Sequence, residues 1–320
     1  MTKLVGVDLG GTNIRAAVAT GAYTHTVPAL AATPGRDGPG AVVEAIARCV
    51  DAAAGGEAVD AVAVGIPGPL DPRRGIVYAA PQLEGWAGFD ARGALRERLQ
   101  CEVAIHNDAD LAGYAEWVAG AGRNTNDFVF ITASTGVGGA LILERELFVG
   151  KAGTAGEIGH LPLGPEYPPC AQGHQGCLEG TASGIAIAHA ARRAVGSGER
   201  TSLSELATAT IDGRAVLAAA RAGDEVALRI FTAAARHLGR AVGGLINLFS
   251  PEAVAIGGGL INAGELLFAP LRAAVGEIAF AVPAGQCRIV EAELGTDAGL
   301  VGAVAWVVRS FGPTEAESKR

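Results

Sequence analysis

Three glycine-rich turns in this chain each follow an apolar run: Gly10-Gly11-Thr12 with Asn13 behind it, Thr135-Gly136-Val137-Gly138-Gly139, and Gly257-Gly258-Gly259. Glycine lets backbone N–H groups converge on an anion, and the hydroxyls of Thr12, Ser134 and Thr135 add donors, so the set predicts a phosphate cradle. Any one of them alone reads as an ordinary hairpin turn. Their recurrence after strands, twice with adjacent hydroxyls, favours phosphate. The P-loop pattern is excluded because Gly150-Lys151 is followed by Ala152, and no G-x-G-x-x-G occurs at these turns.

Two carboxylates sit where phosphoryl transfer would need them. Asp8 ends an apolar run directly before its glycine turn, where it could hold Mg²⁺ against phosphates, directly or through water; the plain alternative is a turn-stabilising Asp. Asn107-Asp108 ends another strand, and ligands of α/β sheets bind at the carboxyl ends of strands. Asp108 is therefore the candidate general base, since in a loose transition state the hydroxyl proton leaves late and an acceptor in position suffices. The alternative for Asp108 is a helix N-cap, a role Asp110 could fill instead. Farther on, Glu157-Ile158-Gly159-His160 and Cys170-Ala171-Gln172-Gly173-His174-Gln175-Gly176-Cys177-Leu178-Glu179 bring carboxylates, imidazoles and two thiols into one glycine-rich stretch. His160 near cysteines suggests zinc, whereas His25, His106, His189 and His237 read as structural.

Strands must position these groups. Apolar runs predict strands at 4–8, 14–18, 61–66, 102–105, 128–132, 140–143, 253–256 and 288–293. Helical spacing predicts helices at 41–54, 111–119, 183–194, 224–249, 266–278 and 298–308. The alternation is that of an α/β protein. The strand, glycine turn, strand unit at 4–18 returns at 128–143 like an internal duplication.

The chain has 320 residues, which favours two domains. Its 49% apolar and 18% charged composition is that of a globular protein. The 47 glycines are roughly twice ordinary usage. A net charge of −8 without a Lys/Arg run argues against nucleic acid and anionic membrane as partners. Arg221, Asp224, Arg229, Arg236 and Arg240 interrupt the longest apolar stretches, and the first residues show no leader, so a cytoplasmic protein is expected. The five cysteines do not form a disulfide framework.

In order and spacing these segments resemble the ROK family of sugar kinases and sugar-responsive repressors, in particular its bacterial glucokinase branch. The resemblance runs over nearly the whole chain: 8–13, Gly65-Ile66-Pro67-Gly68-Pro69-Leu70-Asp71, Asn107-Asp108-Ala109, Ser134 to Gly139, Glu157 to His160, the loop 170–179, and 257–259. It implies a two-lobed actin-like (ribonuclease-H-like) ATPase fold with the nucleotide in the interdomain cleft. Residues 1–118 would form the small lobe, completed by a C-terminal helix 298–320, and 119–297 the large lobe.

The resemblance also implies an ATP- and Mg²⁺-dependent hexose kinase, glucose to glucose 6-phosphate first, with N-acetylmannosamine, mannose or another hexose behind it. It makes Asp108 the catalytic base and assigns sugar contacts to Gly68, Asn107, Asp108, Glu157, His160 and Glu179. Gly10, Gly11, Thr12, Asn13, Thr135 and Gly136 fall to the phosphates, and Gly257 and Gly258 to the nucleoside side.

The family's zinc loop carries a cysteine where this chain has Gln172, leaving His160, Cys170 and Cys177; either His174 or water completes the set, or the site is metal-free. Asp110 and Gln82 stand where the family commonly has Asn, which loosens the claim on glucose, and Ala140 follows Gly139 where a further Gly is often seen. A homodimer or homotetramer is implied. The rivals are a repressor, for which the seven residues before Asp8 leave no DNA-binding helices, and a non-catalytic sugar-sensing regulator, disfavoured because Asp8, Asp108 and both phosphate loops are intact.

Overall fold

The computed structural model describes residues 2–170 and 172–313. The first apolar run is strand β1 (Leu4–Leu9), which turns through Gly10 to Thr12 and returns as β2 (Asn13–Val18), with β3 (Ala29–Ala32) after it. Helix α1 (Pro39–Ala54) begins with proline in its first turn and stops at Gly55 in the left-handed conformation. Strand β4 (Ala61–Ile66), the short strands β5 (Leu70–Asp71) and β6 (Ile76–Val77), helix α2 (Ala91–Leu99), strand β7 (Glu102–Asn107) and helix α3 (Asp108–Ala119) follow.

These strands make a five-stranded sheet in the order β3-β2-β1-β4-β7. The two hairpin pairs are antiparallel, and β1-β4 and β4-β7 are parallel. Period-two alternation sends Val5, Val7, Leu9, Val62, Val64, Ile66, Val103 and Ile105 to one face, against Val42, Ile46 and Leu95 of the helices. Leu4, Ala61 and Ala63 point the other way. The register puts Asp8 beside Gly65, and Gly65 beside His106. Asn107 and Asp108 come next along the chain, so the candidate carboxylates share the carboxyl edge of one sheet.

The chain continues through β8 (Phe128–Ala133), β9 (Val137–Leu143) and β10 (Glu146–Leu147), then α4 (Glu179–Ala182), α5 (Gly184–Gly196), α6 (Gly213–Arg221) and α7 (Glu225–Phe249). It closes with β11 (Ala253–Gly257), α8 (Glu265–Ile278), α9 (Ala281–Gln286), β12 (Arg288–Glu291) and α10 (Ala298–Phe311). A second five-stranded sheet has the order β10-β9-β8-β11-β12. Helix α7 packs on α8 through Gly239 and Gly243: a Cβ on Gly239 would lie 2.3 Å from the Leu271 carbonyl oxygen.

The chain divides into two compact units. Unit 1 takes the described residues up to Asn124, Ala140–Gly156, and those from Glu293 onward; unit 2 takes Thr125–Gly139 and Glu157–Ala292. The segment 140–156 in unit 1 is an addition to the contiguous 1–118 and C-terminal pieces read from sequence. Helix α10 packs on β1 and α3, because Gly6 and Gly302 let the backbones meet. It is seen from Ala298 to Phe311; positions 314–320 of the expected closing helix lie outside the described residues.

Glu116, fully buried near the end of α3, accepts hydrogen bonds from Ala121 N (3.0 Å), Glu293 N (3.0 Å) and Leu294 N (2.7 Å). Those donors lie near two of the four chain crossings, those at 124/125 and 292/293; the others are at 139/140 and 156/157. His106 is buried against Trp306, ring centroids 4.1 Å apart, and burial lowers its pKa to about 3, so it is neutral and structural. Among the described residues no helix is long and apolar enough to cross a membrane.

Candidate active site

In unit 1 the first glycine turn is held from behind. Gly10 N donates to Asn13 O (2.9 Å), and Thr33 closes the turn with its hydroxyl on Gly10 O (2.7 Å) and its N–H on Thr12 O (2.8 Å). Thr12 and Asn13 are exposed at the mouth of the turn. Neither Gly10 nor Gly11 has positive φ; the Gln82 amide lies over Gly11, where a Cβ would be 1.8 Å from Gln82 Oε1. Gln82 therefore rests on the phosphate turn itself.

Asp8 is half-buried, and Arg15, its cross-strand partner in the β1-β2 register, grips one of its oxygens: Nη2 at 2.8 Å and Nε at 3.1 Å both donate to Oδ2. Arg15 also bonds Asp297 (3.0 Å) and the Thr296 carbonyl. The sequence reading missed Arg15. The signal was the hairpin register, which places a cation opposite Asp8. Asp8 Oδ1 points toward Gly299, where a Cβ would lie 2.8 Å away, and one free carboxylate oxygen suits an Mg²⁺ ion bound by one protein oxygen.

Asn107, rather than Asp110, caps α3. Its Oδ1 accepts from Ala109 N (2.8 Å) and Asp110 N (3.2 Å), while its Nδ2 donates to Gly68 O (3.0 Å). The cap was misassigned because the helix starts three residues earlier than expected, and Asp110 is buried inside its first turn. Asp108, half-buried at the first helical position, accepts from Ala109 N at 2.9 Å. Gly68 has φ 94°, and a Cβ there would lie 2.2 Å from Ala79 O, so conformation and space both require glycine. The structure thus brings Asp8, Gly68, Asn107 and Asp108 to one edge of unit 1.

Unit 2 gathers the other residues around the ends of β8 and β11. The turn Ser134 to Gly136 is closed by Ser134 N to Gly136 O (2.9 Å) and by Gly184 N to Ser134 O (2.7 Å). Gly257 registers beside Thr132, and Gly258, at φ 83°, would carry a Cβ 2.4 Å from Ala133 O. The second and third glycine turns are therefore neighbours. Glu179 Oε2 accepts from Val137 N at 3.2 Å and lies 2.6 Å from where a Gly136 Cβ would be. Ala140 is fully buried without disturbing its strand.

Glu157 and His160 flank a 3₁₀ turn whose Gly159 lies against the start of β9; a Cβ there would meet Val137 O at 2.1 Å. Protein packed around the Glu157 carboxyl raises its pKa above the ordinary value; His160 pulls it down and Glu179 pushes it up. The backbone bonds Leu178 N to Leu161 O (3.0 Å) and Leu163 N to Gly176 O (2.8 Å) lay the cysteine loop against this turn. His160 Nδ1 then faces His174 Nδ1 at 3.2 Å and Cys170 Sγ at 4.0 Å. These three ligand atoms lie within 4.8 Å of one another, while Cys177 meets the Cys170 thiol from outside that group. Two nitrogens and a sulfur at this spacing, with a second thiol beside them, suit zinc chemically.

The ROK family model matches residues 4–310. The glucokinase of Thermotoga maritima is 34% identical over 312 residues, covering 97% of this chain and 98% of that protein. The glucokinase of Streptomyces coelicolor is 36% identical over 316 residues, covering 95% and 96%. Among solved structures, a ROK family glucokinase from Streptomyces griseus in complex with glucose and AMPPNP superposes with a TM-score of 0.81 at 33% identity, covering 96% of this chain and 100% of that one. The α/β fold is that of the actin-like, ribonuclease-H-like ATPases. On these matches and the residues described above, the chain belongs to the ROK family.

Proposed function

We propose that this chain is an ATP-dependent hexose kinase that phosphorylates glucose to glucose 6-phosphate. The observation that carries the reading is the placement of Asp8 and Asp108 on one carboxyl edge of the unit 1 sheet, beside a glycine turn pinned from behind by Thr33. The glucokinase relatives, similar over nearly their full length, and the glucose and AMPPNP complex support it.

In this reading Asp108 accepts the proton of the attacking sugar hydroxyl late in transfer. Asn107, fixed between Gly68 and α3, orients the sugar, and Gly68, Glu157, His160 and Glu179 pair with its hydroxyls; polar groups of this kind disfavour a sugar that leaves them unmatched. Gly10, Gly11, Thr12, Asn13, Thr135 and Gly136 hold the phosphates, with Gly257 and Gly258 on the nucleoside side. Asp8, steadied by Arg15, would hold Mg²⁺, which neutralises phosphate charge when bound. His160, Cys170 and Cys177 would hold zinc, which orients the His160 ring so that its other nitrogen faces the sugar. Gln82 on the Gly11 turn and buried Asp110 favour a second reading, N-acetylmannosamine or another hexose as the preferred sugar. The assembly is a homodimer or homotetramer, checked by light scattering.

A coupled ADP-release assay over a hexose panel tests the function. Glucose should show the highest kcat/KM, and Asp108→Asn should lower kcat by about 10²–10⁴-fold. No turnover on any hexose overturns the kinase; a higher kcat/KM on N-acetylmannosamine replaces the sugar; an unaffected variant removes Asp108 as base.

A further inference from the structure

We infer that His174 has become the fourth donor of the cysteine loop, so that the zinc ion is held by two imidazoles and two thiolates instead of one imidazole and three thiolates. The inference rests on the zinc reading above and adds the identity of the ligand that Gln172 cannot supply.

The geometry is close to what a tetrahedral ion needs. Zn–N bonds of about 2.05 Å and Zn–S bonds of about 2.3 Å separate tetrahedral donors by about 3.3 Å for N···N and about 3.6 Å for N···S. The observed His160–His174 nitrogen distance is 3.2 Å, and the Cys170 Sγ to His160 Nδ1 distance is 4.0 Å. A hydrogen bond between the two imidazoles would explain the first distance alone. It does not explain why the Cys170 thiol lies with both imidazoles in one group of ligand atoms within 4.8 Å of one another, with the Cys177 thiol against Cys170 at its edge. The rings stand nearly perpendicular, at 85°, with both Nδ1 atoms turned inward.

The loop is built to deliver His174. Cys170 N donates to His174 O (3.0 Å) and Gly173 N to Cys170 O (2.9 Å), with Gly173 at φ 84°, so the chain folds back and returns His174 to Cys170. Gln172 is exposed on that turn. Two thiolates balance the charge of Zn²⁺, whereas three would leave a negative site two residues from the Glu179 carboxylate.

The test is metal binding and cobalt spectroscopy on the full-length protein. Wild type should bind one zinc per chain, and its Co²⁺ form should show thiolate charge-transfer absorption of two-sulfur intensity. In competition with a chelator, His174→Ala should weaken zinc binding by about tenfold or more. Adding Gln172→Cys to His174→Ala should restore binding and raise the charge-transfer intensity by half, which also keeps the test valid if the single variant folds poorly. Metal-free wild type overturns the zinc reading and this inference with it. Metal bound equally tightly by His174→Ala, with an unchanged cobalt spectrum, overturns His174 alone.

Discussion

At the scale of single residues, Glu157 has the most direct consequence. Its carboxyl is pushed above the ordinary range chiefly by burial, so it takes up a proton at a higher pH than a solvated Glu. A sugar hydroxyl donated to Glu157 loses its acceptor as pH falls through that raised pKa. Glucose affinity measured by calorimetry without ATP should therefore weaken on the acid side earlier than an ordinary carboxylate predicts, and Glu157→Gln should flatten that limb; an identical pH profile in the variant would remove Glu157 from the sugar site. The reactive types were legible in the sequence because an Asp at a strand end beside glycine is chemically unusual. Arg15 and Glu116 were not. A charged residue within a strand or near a helix end shows its meaning only through its partner, and pairing register or long-range folding chooses that partner.

At the scale of elements, the glycines decide which helices can approach. A Cβ on Gly302 would fall 1.9 Å from the Leu111 carbonyl oxygen, a backbone atom that cannot swing away. Gly302→Ala should separate α10 from α3 and cost about 1–3 kcal/mol or more of stability, read as a lower midpoint in urea unfolding; a midpoint unchanged from wild type would contradict the packing. Long apolar elements such as β4 and α7 were readable because hydrophobic periodicity survives over many residues. Helix α2 was not, since it buries only Ala91 and Leu95 amid arginines and Glu97. The two-residue strands β5, β6 and β10 are too short to show alternation.

At the scale of the whole molecule, one side chain ties down the chain near two of the four places where it passes between units. Removing the Glu116 carboxylate leaves three backbone N–H groups without their acceptor. Ala121 N is buried and the other two donors are only part-buried, so at about 1–3 kcal/mol for a buried unmatched donor Glu116→Ala should lower stability by about 1–3 kcal/mol; a calorimetric unfolding curve like that of wild type would show that water replaces it. A two-domain division was an expectation legible in chain length. Its boundaries were not, because the return of 140–156 depends on contacts such as Arg73 Nη1 to Gly150 O (2.8 Å) and Tyr78 OH to Ala152 O (3.2 Å), which leave no local mark in sequence. The packing of α10 on β1 also sets an order of events during synthesis. Unit 2 is built from two segments, 125–139 and 157–292, and both precede α10 in the chain. Unit 1 closes after unit 2: β1 waits, one face uncovered, until residues 298–311 emerge, so the edge bearing Asp8 and Asp108 becomes firm only once α10 has been made.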